Sequence, residues 1–179
     1  MGFCLNLRIS PVSAPAVTAL WDQVAMLEEQ PSMRPLGYPP HLTFAIYDSD
    51  IVSDEVRVRA LDRAAAGQPE LRLSFNRIGL FTGPSLVVWA DPEPKDALRR
   101  MHRAIHSVIE PALCRPHYRP GAWVPHCTLG TAVPVERQDA AMDFGRNFRG
   151  GLEATFDVVD CVTFPPLRIA LEKRLLPPP

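Results

Sequence analysis

The sequence predicts a duplicated fold of alternating β-strands and α-helices, and three observations predict it. Segments with period-2 apolar alternation interleave with segments whose apolar residues recur at helical spacing. One seven-residue pattern (aromatic, any residue, Pro, His, apolar, Thr, apolar) occurs twice, as Tyr38–Phe44 and as Trp123–Leu129. The interval from an opening strand to the motif histidine is also nearly the same, 38 residues from Phe3 to His41 and 41 from Ser85 to His126. A unit of strand, helix, loop and strand is therefore used twice, unlike a solenoid of shorter and more numerous repeats.

The elements follow in order. Phe3–Ile9 alternates as a strand, and Ala14–Gln30 carries Leu20, Val24 and Leu27 at helical spacing. Four prolines and a glycine make 31–40 a loop. A strand is expected at His41–Tyr47, a helix over about Asp54–Ala66, and a strand at Leu71–Phe81. The order then repeats with a strand at Ser85–Ala90 and a helix at Pro94–Pro111, whose Leu98, Met101, Ile105, Val108 and Ala112 share one side. Cys114–Pro125 is a loop with three prolines, His126–Ala132 a strand, Glu136–Phe148 a helix and Thr155–Phe164 a strand. Arg168–Leu175 closes the chain as a last strand, and the prolines at 177–179 read as a disordered tail. By itself this alternation suggests a parallel α/β sheet. The chain reads as one domain over 1–176, made of halves at about 1–82 and 83–176.

Composition narrows the class. A chain of 179 residues is long enough to bury a core, and its 46% apolar and 22% charged residues are ordinary for a soluble globular protein. No apolar run approaches a membrane span, and no basic-then-apolar signal segment opens the chain. A formal charge of −1 argues against broad electrostatic coating of nucleic acid, while a local basic patch can still hold one end of a strand. Cys4, Cys114, Cys127 and Cys161 lie far apart with no Cys-x-x-Cys, so free and mostly buried thiols are expected. Met1-Gly2-Phe3-Cys4 looks faintly like an acylation signal, but position 6 is Asn where Ser or Thr is wanted. Cytoplasmic location is the default expectation.

The repeated motif carries the chemistry. Successive side chains of a strand point to opposite faces, so His41 and Thr43 share one face while Leu42 and Phe44 enter the core. His126 and Thr128 do the same in front of Cys127 and Leu129. With five His and seven Thr in the chain, composition alone yields a His-x-Thr pair only about 0.2 times, and a doubled, flanked motif is far less open to coincidence than a single one. Two imidazoles and two hydroxyls around one small polar site are equipment for acid–base chemistry on a phosphodiester. Water attack needs a base for the water proton and an acid for the leaving oxygen, and imidazole does either near neutral pH. Threonine hydroxyls can donate to the non-bridging oxygens, whose charge grows in the transition state.

The two motifs, 85 residues apart from His41 to His126 and placed on matching strands, resemble those of the 2H phosphoesterase superfamily. That superfamily includes bacterial 2′-5′ RNA ligase-like proteins and cyclic phosphodiesterases. The resemblance implies an α+β fold, bilobal and duplicated, with two antiparallel sheets and outer helices around a central cleft. It places the catalytic histidines on His41 and His126 and the phosphate-binding hydroxyls on Thr43 and Thr128, with no metal and no cofactor. It implies a phosphoric diester hydrolase acting on a nucleotide or RNA end that carries a 2′,3′-cyclic or 2′,5′ phosphodiester. No membrane and no obligate protein partner are implied. Substrate orientation decides which histidine is base, with a lean toward His126 in hydrolysis. The alternatives are a cyclic phosphate of a non-RNA metabolite, such as an ADP-ribose derivative, and a non-catalytic RNA-end or nucleotide-binding module.

Other residues are weighed beside these. Tyr38, Trp123 and Tyr118 lie where they can line the cleft or stack a base, although such rings more often cover a core. His102 and His106 have a zinc-like spacing on a helix, but no third ligand lies near them. Arg99, Arg100 and Arg103 read as a solvated helix face. Arg115 and Arg119, in the second motif's loop, are better placed to meet a terminal phosphate.

Overall fold

The computed structural model describes residues 1–177, so the last two residues of the expected tail lie outside it. In chain order the elements are β1 (Gly2–Ile9), α1 (Ala14–Ala25), β2 (His41–Tyr47), α2 (Asp54–Ala65), β3 (Leu71–Phe81), β4 (Leu86–Glu93), α3 (Asp96–His106), β5 (Cys127–Val133), α4 (Gln138–Asn147), β6 (Leu152–Phe164) and β7 (Arg168–Arg174). The order is the expected one, but α1 and α3 stop about one turn early. After Ala25 the chain turns so that Glu28 faces β5, where its carboxylate accepts from the Ser32, Thr131 and Ala132 amides at 2.9, 3.0 and 3.0 Å. Gly130 makes the room, because a Cβ there would press on Val24 and Glu28 at 2.5 and 2.8 Å. In α3 the stop precedes Pro111, which pushes Glu110 out of helical conformation (ψ 121°).

All seven strands belong to one hydrogen-bonded sheet of order β1-β2-β5-β4-β3-β6-β7, and β1 also pairs with β6. Every strand–strand ladder is antiparallel. The parallel arrangement suggested by strand–helix alternation is therefore wrong, and the register shows why. His41 lies opposite Arg8, and Cys127 opposite Ala90. Each motif strand starts beside the far end of its half's first strand, because the helix carries the chain away and the proline-rich loop brings it back.

The antiparallel half-sheets implied by the family resemblance are present and are joined at two places. The long strand β6 pairs with β3 through 152–156 and with β1 through 156–164. On the other side, β2 and β5 meet at the single pair Leu42–Cys127. Exchanging β1, β2 and β3 for β4, β5 and β6 leaves the pairings among these six strands unchanged, and β7 is an addition on the edge of β6.

One hydrophobic cluster fills the interior, with Phe3, Leu5, Leu7, Leu42, Phe44, Leu98, Leu129 and Phe156 fully buried. Burying each such side chain contributes about 1.5–3 kcal/mol. The helices cross between halves: α1 packs on β5 and α3 on β2. The Trp21 indole of α1 seals the first contact by donating to the Thr128 carbonyl at 3.0 Å. No helix among the described residues is long and apolar enough to cross a membrane.

Candidate active site

β2 begins at His41, and β5 begins one residue after His126, where the two strands touch. Alternation holds in both copies: Leu42, Phe44, Cys127 and Leu129 are fully buried, while His41, Thr43, His126 and Thr128 are half-buried on the opposite face. The sheet thus brings both histidines and both threonines of the motifs to neighbouring strands, on the side away from the core and beside the Leu42–Cys127 contact.

The histidines are held identically. His41 Nδ1 donates to the Pro39 carbonyl at 2.8 Å, and His126 Nδ1 donates to the Val124 carbonyl at 2.7 Å. A carbonyl only accepts, so the proton sits on Nδ1 and a neutral ring presents Nε2 as a base. Burial pushes the His41 imidazole down to about 4, the Pro39 bond opposes this, and charge on His126 lowers it further. Burial also lowers His126, against the Val124 bond. Both rings are therefore neutral near pH 7 in the free protein, and an anion in the cleft would draw a proton onto one of them.

Around Thr43 the environment is a buried polar network. Thr43 Oγ1 donates to Asn6 Oδ1 at 3.0 Å, and Asn6 Nδ2 donates to Asp160 Oδ1 at 3.2 Å and to the Tyr38 hydroxyl oxygen at 3.3 Å. The Tyr38 hydroxyl in turn lies 2.7 Å from both Asp160 oxygens. Arg8 closes the network with its guanidinium 3.2 Å from Asp160 Oδ2 and 2.7 Å from Glu172. Asp160 is fully buried; burial pushes its carboxyl up, and the donors Tyr38, Asn6 and Arg8 pull it back. Burial prevails, so the Asp160 carboxyl lies above its ordinary value despite the three donors that converge on it.

Around His126 the environment is aromatic. Phe81 meets its ring edge-to-face at 5.0 Å and stacks on Trp89 at 4.8 Å, while Trp89 lies 6.1 Å and Tyr118 6.5 Å from His126. Trp89 is the cross-strand neighbour of Thr128 and of Gly79. Its indole lies over Gly79 where a Cβ would overlap it, and its buried Nε1 has no partner among the described residues. No protein group among the described residues accepts the Thr128 hydroxyl proton.

The loop before His126 is pinned by α3. His102 and His106 both point Nε2 at the Tyr118 carbonyl, at 2.8 and 3.1 Å. His102 also stacks flat on Trp123 at 4.3 Å, and Trp123 Nε1 donates to the Thr43 carbonyl at 3.0 Å. The zinc-like spacing of these histidines thus serves a loop clamp, and no group of three His, Cys, Asp or Glu among the described residues could hold a metal.

The expected aromatic residues line the site unequally. Tyr38 is buried with its ring edge-on to His41 at 4.8 Å, and half-buried Trp123 is stacked by His102 at 4.3 Å and meets Phe44 at a tilt. Half-buried Tyr118 and Phe81 stand beside His126, at 6.5 and 5.0 Å. Arg115 grips Asp48, and Arg119 caps the Cys114 and Ala112 carbonyls at 2.9 and 3.0 Å. The cysteines are free, and all but Cys4 are buried. Sequence reasoning does not single out Phe81, Trp89, Asn6 or Asp160. A lone Asp in the apolar run Val158–Val162 is the available signal for one of them.

An antiparallel ring of strands that sets two His-apolar-Thr strands side by side agrees with the fold implied by the resemblance to the 2H phosphoesterases. A family model described as the 2′-5′ RNA ligase superfamily matches residues 11–163, and the chain belongs to that family. It is similar to a provisionally named phosphoesterase of Geobacillus kaustophilus (strain HTA426), with 28% identity over 97 residues, 54% of this chain and 53% of the relative. The chain spans about half the length of the curated relatives it matches. Among solved structures its fold is similar to TT0787 of Thermus thermophilus (TM-score 0.64, 15% identity, 99% of each chain). It is similar as well to Escherichia coli LigT complexed with 3′-AMP (TM-score 0.64, 15% identity, 97% of each chain).

Proposed function

We propose that the protein is a phosphodiesterase that opens 2′,3′-cyclic or 2′,5′ phosphodiesters of RNA ends or small nucleotides, without a metal, using His41 and His126. The observation that carries this reading is the matched pair of imidazoles, each with Nδ1 tied to its own backbone and Nε2 left for the cleft. Family membership supports the phosphoester chemistry, and 3′-AMP in the LigT structure supports a nucleotide-sized ligand. The pairing symmetry supports reading 1–176 as one unit of two halves, about 1–82 and 83–176, with the site at their junction.

In hydrolysis of a cyclic phosphate, one neutral histidine takes a proton as the water oxygen bonds to phosphorus. The other, protonated on binding the anionic ester, delivers its proton to the ribose oxygen as the P–O bond breaks. The site then holds a monoester and a free ribose hydroxyl, with the pair's charge unchanged. Thr128 is free to donate to a non-bridging oxygen, where such a bond strengthens as charge develops.

Turnover of the four nucleoside 2′,3′-cyclic phosphates in EDTA tests the reading, with the 2′- and 3′-phosphate products resolved. The expected outcome is turnover that survives chelation and falls by about 10²–10⁴-fold in His41→Ala and in His126→Ala. Turnover abolished by EDTA, or retained in either variant, would overturn it.

A further inference from the structure

A cavity of about 500 Å³ lies beside the first motif. Pro39, whose carbonyl holds His41 Nδ1, lines it, and so does Arg8, the cross-strand neighbour of His41. Pro11 and Pro15 add apolar surface, while Asp157 of β6 and Arg174 of β7 add charge.

Asp157 reaches this cavity through an irregularity of the sheet. Along β1, Arg8 lies opposite Val158 but Ile9 lies opposite Phe156, so Asp157 is an extra residue with no opposite number. Strict alternation would send Asp157 into the core with Val159. The bulge instead brings it into the cavity shared with Val158 and its cross-strand neighbour Arg174. The outcome is a carboxylate only 8% exposed, whose Oδ1 has no hydrogen-bond partner among the described residues. Its Oδ2 stands 3.7 Å from the Arg174 guanidinium, beyond hydrogen-bond length. Native proteins leave few buried acceptors unpaired. What this carboxylate lacks is a donor, and the cavity is where a ligand can bring one.

We propose that this cavity is a base subsite selective for guanine, read by Asp157 and Arg174. The inference rests on the proposed nucleotide chemistry of the neighbouring histidines and names the base which that site favours. Guanine carries two adjacent donors, N1–H and the N2 amine, which match the two oxygens of one carboxylate, and its O6 is then turned to an arginine. Adenine and cytosine offer one amine beside a ring nitrogen that only accepts. Uracil offers one N–H between two carbonyls. Each of these bases would set a lone pair against the Asp157 carboxylate. Arg8 is held by Asp160 and Glu172, which leaves Arg174, 78% exposed, as the cation free to turn toward O6.

Calorimetric titration of the full chain with the guanosine, adenosine, cytidine, uridine and inosine 3′-monophosphates tests this. The parent is expected to bind the guanosine nucleotide about tenfold more tightly than the adenosine, cytidine and uridine ones, the worth of the added hydrogen bonds. Inosine, which lacks the N2 amine, is expected to fall between. Asp157→Asn is expected to bring guanosine to the level of the others while leaving theirs within about twofold, a pattern that damage to the fold cannot produce. Arg174→Ala, on an exposed side chain, is expected to reduce the preference about threefold. Equal affinity for all the bases would overturn the inference and mean that Asp157 is satisfied by water, as would a preference unchanged in Asp157→Asn or no binding at all. Equal binding with turnover of cyclic phosphates would leave the proposed function standing. A guanine preference without such turnover would support the subsite and overturn the proposed function.

Discussion

The two copies of the motif share a seven-residue pattern and a backbone, yet one faces a buried polar network and the other a cluster of aromatic rings. The difference originates on neighbouring strands. Asn6 of β1 lies opposite Thr43, and the equivalent strand β4 sets Trp89 opposite Thr128. Duplication therefore repeated the placement of the histidines, while cross-strand partners made their surroundings diverge. An acid–base pair has to differ in function even when its members are held alike, and surroundings that differ in polarity are one physical way to obtain that.

Removing the aromatic side is the severest way to break this comparison. In Gly79→Ala the new Cβ overlaps the Trp89 indole, which has to move and take the stacked Phe81 with it. Overpacking of this kind costs about 1–3 kcal/mol, measurable as a lower urea midpoint. Turnover should fall with it, since His126 loses the rings at 5.0 and 6.1 Å that set its position. Unchanged stability and turnover would show that Trp89 has another place to go and that the aromatic wall does not position His126.

The paired motifs are legible in the sequence because everything they need is local. Alternation alone places His41 and Thr43 on one face and Leu42 and Phe44 on the other. Asn6, Trp89 and Asp160 are not legible as site residues, because their role depends on register across strands, which sequence spacing does not encode. Asn6 sits in an apolar strand as the single amide among Phe3, Leu5, Leu7 and Ile9, a signal that something polar lies opposite without saying what. Local pattern misjudges strand direction for a related reason. Strand–helix alternation does not count the return made by the loops at 31–40 and 107–125, and that return reverses the next strand.

Those same two loops respond to pH differently, which sharpens the comparison. The first is anchored by the Tyr38 hydroxyl on buried Asp160, the second by His102 and His106 on the Tyr118 carbonyl. Burial holds His102 down to about 4 and lowers His106. Between the ordinary histidine value of about 6.5 and that lowered one, the unfolded chain binds a proton that the folded protein refuses, so stability is lost as pH falls through this window. His41 and His126 are lowered too and add to the slope. His102→Gln keeps a donor for the Tyr118 carbonyl and removes one titrating group. Urea unfolding from pH 7 to 4.5 should therefore show a shallower loss in this variant than in the parent. Parallel curves would place the acid sensitivity elsewhere.

The smallest expected effect concerns two arginines, Arg8 opposite His41 and Arg115 in the loop before His126. Arg8 is mostly buried (15% of its side chain exposed) and neutralises Asp160, a charge that would otherwise stand unpaired in the core. Arg115 belongs to the second copy's loop, yet its side chain is 44% exposed and turned away to grip Asp48. The Asp48 carboxyl is held below its ordinary value by that contact, but a pair this open to water contributes only about 0–1 kcal/mol. Arg115→Ala should leave the unfolding midpoint nearly unchanged and, because the guanidinium is occupied away from the cleft, leave KM for a cyclic nucleotide within about twofold. A KM raised about tenfold or more, sensitive to salt, would mean that Arg115 releases Asp48 and swings onto the substrate phosphate. The second copy would then possess a mobile cation where the first has a fixed one, and the asymmetry between the copies would extend from their hydroxyls to their charges.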